Sequence, residues 1–430
     1  MTDDERGTSH LERMAQPNGR RWDASNEAPR MPRLALVTPF PHAALPVHGV
    51  ADYAKHLASA LNREGMDVEV WADRLTAADS RDGTSDQSPP VLRNWRPGVL
   101  VGADLWRALR FRRPEIVHVQ IEPFIYGGLI GLASLQFFLL AVRLAGIPLF
   151  VTLHHVAAGK HLSRAVLRQI GVRLPPSAAK TLQRISMRFL GSVANRLIVH
   201  ADLFKERLAA ESGLDPARID VIPHGVPHAR GRPRAGGPPT LLMFGYVKWY
   251  KGVDIVLRAF ELISSDFPAA RLVIAGGLPF GAGPHHPHRQ FIDRVHHLGA
   301  PLGQRVNFLG YVSDEMVPEL YDAATVVLFP YRLLFGASGP LSLAVGYRKP
   351  FIVSRVLSPL VPFWPLATDN SPEQWADAIR RALRSADLQE SAEEILEPVA
   401  SLRHWSHVAA ATIASYRIAD AMPRATFDMP

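Results

Sequence analysis

Short apolar runs alternate along this chain with longer stretches in which apolar residues recur every three or four positions, the pattern of buried strands separated by helices. Residues 33–40, Arg-Leu-Ala-Leu-Val-Thr-Pro-Phe, form the first run. A helical pattern in Tyr53, Leu57, Ala60 and Leu61 follows, stops at Glu64 and Gly65, and leads into a second run at 67–72. Strands are predicted again at 114–122, 147–154, 195–200 and 219–226, with helical spacing between them. Residues 73–98, rich in Asp, Ser, Arg and Pro, read as a surface excursion. The alternation restarts with predicted strands at 240–244, 271–275, 305–309, 325–329 and 351–354, and Trp405, Ala409, Ile413 and Tyr416 mark a last helix. Between the two series, residues 228–239 are Arg, Gly and Pro with almost nothing apolar, which predicts a linker. The expected organisation is α/β, with doubly wound domains at 31–227 and 240–400 and a helix at 401–424.

Length and composition agree with this division. At 430 residues the chain is too long for one ordinary core, and 47% hydrophobic with 20% charged residues is a globular balance. Residues 1–30 are polar, lack the apolar core of an export signal, and are expected to be a disordered leader. There is no cysteine, which excludes disulfides and thiolate metal sites. A net charge of +8 predicts attraction to phosphates, anionic lipid or nucleic acid without choosing among them. No interleaving of aromatic and basic residues points to nucleic acid, so none is expected as a partner.

Candidate chemistry concentrates where strands end. The apolar run 241–244 stops at Gly245, a short loop carries Lys248 and Lys251, and Gly252 releases a helix with Val253, Val256, Leu257 and Phe260 on one face. A strand, a basic loop and a helix N-terminus at the carboxyl edge of a parallel sheet form a phosphate site. A solvated turn would carry the same two lysines. Gly49, after the first strand, offers a second close backbone approach to a ligand. In the strand 114–122, Val117, Val119 and Ile121 share one face while His118, Gln120 and Glu122 share the other, and three polar side chains in register predict a cleft wall more than a buried network.

Two stretches bear on membranes. Residues 123–142 are uncharged and long enough to span a bilayer, but Gly127, Gly128 and Gly131 interrupt them and another core strand follows at once. A packed helix with an apolar outer face is expected, with membrane contact as the sharper possibility. Lys180, Arg184 and Arg188 then share a helix face while Leu182, Ile185 and Phe189 lie on another, which suits either a membrane surface or plain solvent. His285, His286 and His288 fall in a Gly- and Pro-rich loop without carboxylates at fixed spacing, so no metal site is expected.

Taken together, the sequence resembles the GT-B glycosyltransferases, and specifically the retaining group called family 4. Five stretches carry the likeness: His-Gly-Val-Ala-Asp-Tyr at 48–53, His-Val-Gln-Ile-Glu at 118–122, Thr-Leu-His at 152–154, Ile-Pro-His-Gly-Val at 222–226, and Phe-Gly-Tyr-Val-Lys-Trp-Tyr-Lys-Gly at 244–252. The resemblance implies two Rossmann-like domains facing a cleft, the C-terminal helix crossing back onto the first. It implies that Gly49, Gly245, Lys248, Lys251, Ser338 and Gly339 hold a nucleotide-sugar donor, that His154 joins Lys248 and Lys251 in catalysis, and that His118, Gln120, Glu122 and His154 line the acceptor side. Family members usually carry two glutamates where this chain has Phe335 and Leu343, and the Ser338-Gly339 helix start is the remaining phosphate contact there. The implied activity is metal-independent, retaining transfer to a lipid-linked or polysaccharide acceptor, with no cofactor beyond the donor, in the cytoplasm and peripheral to the membrane's inner face. A non-catalytic GT-B partner in a polysaccharide-assembly complex, permitted by the missing carboxylates, is the alternative, and a sugar-nucleotide epimerase a weaker one.

Overall fold

The computed structural model describes residues 31–42, 49–74, 89–227, 237–277 and 287–420. The expected leader, nearly all of the expected linker, and His285 and His286 lie outside the described residues, as does the side chain of His288. The first domain runs β1 (Arg33–Val37), α1 (Gly49–Arg63), β2 (Asp67–Asp73), β3 (Val91–Trp95), α2 (Val101–Arg112), β4 (Ile116–Ile121), α3 (Gly128–Leu144), β5 (Leu149–Leu153), α4 (Arg164–Gln169), α5 (Pro176–Val193), β6 (Arg196–Val199), α6 (Asp202–Ser212) and β7 (Ile219–Val221). The second runs β8 (Thr240–Phe244), α7 (Val253–Leu262), β9 (Arg271–Ala275), α8 (Pro287–Gly299), β10 (Val306–Gly310), α9 (Val317–Ala323), β11 (Val326–Phe329), α10 (Gly339–Gly346), β12 (Phe351–Ser354), β13 (Ala367–Thr368), α11 (Pro372–Arg384) and α12 (Leu388–Leu402). A last helix, α13 (Trp405–Asp420), follows.

Both sheets are parallel, with orders β3-β2-β1-β4-β5-β6-β7 and β10-β9-β8-β11-β12-β13. Each reverses direction beside its first strand, between β1 and β4 and between β8 and β11, and the loops leaving those strands form the crevices where such sheets bind ligands. Central strands β4, β5, β6, β11 and β12 are buried along their whole length, as expected of parallel strands covered on both faces.

Two sequence expectations need correction. Residues 73–98 are not wholly a surface excursion, because 91–95 form edge strand β3 with Trp95 and Arg93 buried. The Arg93 guanidinium donates to the carbonyls of Pro41 (2.9 Å) and Asp73 (3.0 Å), anchoring the start of the loop that leads to Gly49. A charge that makes backbone hydrogen bonds can be buried, so polarity alone misled there. The C-terminal helix begins at Trp405, since Ser401 and Leu402 still belong to α12.

Helix α13 packs on the first domain. Trp405, Val408, Ala409, Ile413 and Tyr416 share a core with Leu34, Tyr53, Leu57 and Phe150. Ser415 Oγ donates to Asp220 Oδ2 at 2.6 Å, and Asp220 is itself paired with Arg196. Gly225 is required beneath this helix, because a Cβ there would lie 2.4 Å from the Trp405 ring.

Helix α3 buries Leu135, Phe138, Leu139 and Val142 but exposes Leu129, Ile130, Phe137, Leu140 and Leu144. Gln136 Nε2 donates to Ser186 Oγ at 2.7 Å, which sets α3 beside α5, where Leu182 and Ile185 are also exposed. Among the described residues no helix is long and apolar enough to cross a membrane.

Candidate active site

The loop after β8 is shaped by its glycines. Gly245 has φ +103°, and a Cβ on it would lie 2.7 Å from Lys251 Nζ and 2.9 Å from Pro340 Cγ. Glycine therefore lets the strand end, the ammonium group and the first turn of α10 converge. Gly252, at φ +72°, passes so close to the Pro330 carbonyl that a Cβ would sit 2.1 Å from its oxygen. Arg332 clamps the same loop: it forks onto Asp254 at 2.9 and 2.8 Å and donates to the Trp249 carbonyl at 2.7 Å. Its guanidinium also lies 5.4 Å over the Trp249 ring. Lys251 Nζ sits 5.7 Å from the Tyr331 ring centre. Burial, with the Lys248 charge alongside, pushes the Lys251 ammonium down to about 7, and the Glu122 carboxylate opposes the shift.

Ser338 is the N-cap of α10. Its Oγ accepts from Leu341 N–H at 3.4 Å and pairs with the Tyr331 hydroxyl at 3.0 Å. Pro340 has no N–H, so Gly339 provides the first-turn donor that the helix cannot satisfy itself. Phe335 packs edge-on against Tyr250 at 5.5 Å and faces His155 at 6.3 Å, so an aromatic wall stands where the family pattern puts a carboxylate. Leu343 is half-buried against the apolar core.

On the first-domain side, His118 and Gln120 do not line a cleft. Both are buried, and His118 is held between Tyr416 Oη (2.6 Å) and Thr152 Oγ1 (2.8 Å), so α13 covers the face expected to be open. The Gln120 amide bridges His118 Nε2 (3.3 Å) and His154 Nε2 (2.7 Å), and His154 Nδ1 meets His200 Nε2 at 3.3 Å. Both His154 ring nitrogens are thus engaged inside the domain, with Tyr53 packed on the ring at 4.8 Å. Burial holds His118 and His200 down to about 3, so both are neutral. The alternation in 114–122 is real, but the tertiary partner that buries its polar face lies about 300 residues away. The next residue along, His155, reaches the seam with Nδ1 3.7 Å from Glu122 Oε1.

The domains touch through these loops. Val156 N–H donates to the Phe335 carbonyl at 2.6 Å. Arg207 Nη1 bridges the Val156 (2.7 Å) and Leu334 (3.0 Å) carbonyls. A Cβ on Gly336 would lie 1.9 Å from the His154 carbonyl oxygen. His224 Nε2 approaches the Gly339 Cβ position at 3.8 Å, and Lys55 pairs with Asp314 at 3.3 Å. Gly49 opens α1, is exposed, and has open space where a Cβ would go. The sequence offered no signal for Arg207 or His200, whose roles come from segments it places far apart. Among the described residues no group of three or more His, Asp or Glu is arranged to hold a metal ion.

Comparison with known proteins bears on this arrangement. Residues 47–230 match the family described as Glycosyltransferase Family 4, and residues 238–385 match Glycosyl transferases group 1. The chain is 30% identical to a D-inositol 3-phosphate glycosyltransferase of Mycobacterium bovis, covering 93% of this chain and 85% of that one. Sucrose-phosphate synthase from Thermosynechococcus elongatus shares the fold at TM-score 0.71 and 18% identity, covering 91% of this chain and 99% of that one. Anabaena Alr3699/HepE in complex with UDP-glucose does so at TM-score 0.66 and 14% identity, covering 90% and 100%. Two facing doubly wound domains, the glycine-shaped basic loop and these matches together make the chain a member of the family 4 glycosyltransferases, enzymes of the GT-B fold.

Proposed function

We propose that this glycosyltransferase is retaining and metal-independent, and moves a sugar from a nucleotide-sugar donor to a lipid-linked or glycan acceptor at the cytoplasmic face of a membrane. The observation that carries the donor assignment is the convergence at Gly245 of Lys251 and the start of α10. A diphosphate set there meets the two ammonium groups of Lys248 and Lys251 and the Gly339 N–H, all of which offset charge as the nucleotide departs. The acceptor oxygen bonds to the anomeric carbon on the face from which the diphosphate leaves. Its proton passes to the departing phosphate oxygen, so the configuration is retained and no side chain acts as base. His154 serves as scaffold for this face through its carbonyl and its core contacts.

The exposed apolar faces of α3 and α5, with Lys180, Arg184 and Arg188 beside them, support a membrane-surface acceptor. The name of the mycobacterial relative supports a second reading, a soluble phosphorylated polyol as acceptor. One assay addresses all three points. UDP, GDP, ADP, TDP and their sugar conjugates are screened for thermal stabilisation, and the stabilising sugar nucleotide is then offered with anionic-lipid vesicles carrying a polyprenyl-phosphate-linked sugar, or with D-inositol 3-phosphate. Transfer only to vesicles, with co-sedimentation lost in Phe137→Asp, supports the membrane reading. Transfer to D-inositol 3-phosphate without vesicles selects the other. No stabilisation by any nucleotide overturns the donor site.

Lys251 also predicts a proton signature. With its ammonium near 7 in the free protein, most of the group is neutral at pH 8 and charged below pH 6. A bound diphosphate favours the charged form, so donor binding should take up about one proton at pH 8 and almost none at pH 6. Affinity should correspondingly fall as pH rises above 7. Calorimetry in buffers of different ionisation enthalpy measures the uptake, and equal enthalpies at pH 8 would remove Lys251 from the phosphate contact.

A further inference from the structure

The sequence puts Glu122 on the acceptor side, but the structure sets it against the donor wall. Glu122 directly follows β4, and His155 emerges just beyond the end of the neighbouring strand β5. The two side chains stand 3.7 Å apart and keep 12% and 28% exposure, so a ligand in the seam can reach them. From His155 a chain of ring contacts crosses to the second domain through Phe335 (6.3 Å) and Tyr250 (5.5 Å) to the buried Tyr331 (5.9 Å), where Lys251 lies 5.7 Å from the ring. This chain of contacts has an anion at its first-domain end and a cation at its second-domain end.

We propose that Glu122 is the carboxylate that accepts hydrogen bonds from the hydroxyls of the donor sugar, with His155 as its positioning residue and the aromatic face of Phe335 beneath the ring. The assignment rests on the donor reading above. A nucleotide sugar whose diphosphate occupies Gly245 and Lys251 extends its sugar along the aromatic wall toward Glu122. Phe335 stands where a carboxylate would otherwise come from the second domain, and it offers only an apolar face. A sugar needs both, since its C–H faces stack on aromatic rings while its hydroxyls require acceptors. The Glu122 charge acts on Lys251 and on the hydroxyls of Tyr246 and Tyr250, which places it near the loop that carries Lys251. Supplied from the opposite domain, this carboxylate makes sugar recognition conditional on closure, so a bare nucleotide does not depend on it.

The test compares Glu122→Gln, Glu122→Asp and His155→Asn with wild type, titrating each by calorimetry with UDP and UDP-glucose, and with GDP and GDP-mannose. Glu122→Gln should weaken the sugar conjugate about tenfold or more while leaving the free diphosphate within about twofold. Glu122→Asp, which keeps the charge on a shorter arm, should fall between. His155→Asn should raise KM for the donor with kcat little changed. Equal weakening of conjugate and free nucleotide, or no weakening of either, overturns the assignment. A plain counter-ion role would instead lower the melting temperature without separating the two ligands. Wild type that binds none of UDP, GDP, ADP, TDP and their sugar conjugates refutes the donor reading, and that outcome is distinct because it appears before any variant is made; where ADP or TDP is the nucleotide bound, the same titrations use it and its sugar conjugate.

Discussion

Replacing Lys251 with alanine is expected to lower kcat/KM for sugar transfer by about 10²–10³-fold, because it removes a preorganised cation from the place where charge develops on the leaving diphosphate. The loss should fall on both KM and kcat, since the charged Lys251 also holds the ground-state nucleotide beside Lys248 and the α10 start. Stability should not suffer. The Lys251 ammonium is held near 7 by burial, which means that the folded protein disfavours its charge, so removing it costs the fold little and relieves that penalty at neutral pH and below. The sign follows from proton counts. Between about 7 and the ordinary lysine range the unfolded chain binds more protons at this site than the folded one, so wild-type stability from this group rises with pH across that window. Lys251→Ala should flatten that rise. Lys251→Arg should not rescue activity, because Gly245 leaves room for a slim ammonium and Pro340 closes the other side. Steady-state kinetics beside thermal melts at pH 6 and pH 9 decide the matter. An alanine variant with near wild-type turnover would sink the assignment.

Gly336→Ala is the second large effect, expected to reduce kcat by about 10²-fold while both domains stay folded, because a misplacement of about 1 Å at a reacting centre has that consequence. The added methyl would lie 1.9 Å from the His154 carbonyl oxygen, a backbone atom that cannot rotate away. Relief requires the loop 331–338 to withdraw from the first domain, which breaks the Val156 to Phe335 hydrogen bond and pulls the Arg207 bridge apart. Nucleotide held by the second domain alone should bind almost normally. Small-angle scattering should report a more open particle, and free-nucleotide affinity should stay within about threefold. Wild-type kcat in this variant would mean that the contact seen here is not the productive one.

Much of the geometry of the proposed donor loop was legible in the linear order of residues because it is local. The strand end, Gly245, Lys248, Lys251 and Gly252 fall within nine positions, and the backbone geometry they require is set by near neighbours. The replacement of carboxylates by Phe335 and Leu343 was legible only through the resemblance to the family. The acceptor-side expectation fared differently. Period-two alternation puts His118, Gln120 and Glu122 on one face of β4, but it cannot say whether that face meets solvent or another element. Tyr416 from α13 buries the first, the His154 ring engages the second, and only Glu122, at the strand's end, reaches the seam. The sequence reading named His154 and not its neighbour His155, because adjacent residues at a strand end diverge and the His155 contact with Phe335 comes from the other domain.

By itself the sequence determined the α/β class, the two repeats of strand and helix, the glycine-bounded basic loop and the family, because periodicity and short motifs encode interactions between residues near each other in the chain. The tertiary structure alone decided that Arg93 is a buried anchor, that α13 closes over the first domain's polar face, and that Glu122 and His155 meet at the seam between the domains. Those outcomes depend on which distant surfaces meet. A polar side chain is silent about its partner until packing either supplies hydrogen bonds and buries it or leaves it at an opening, and that choice is made by contacts between segments hundreds of residues apart.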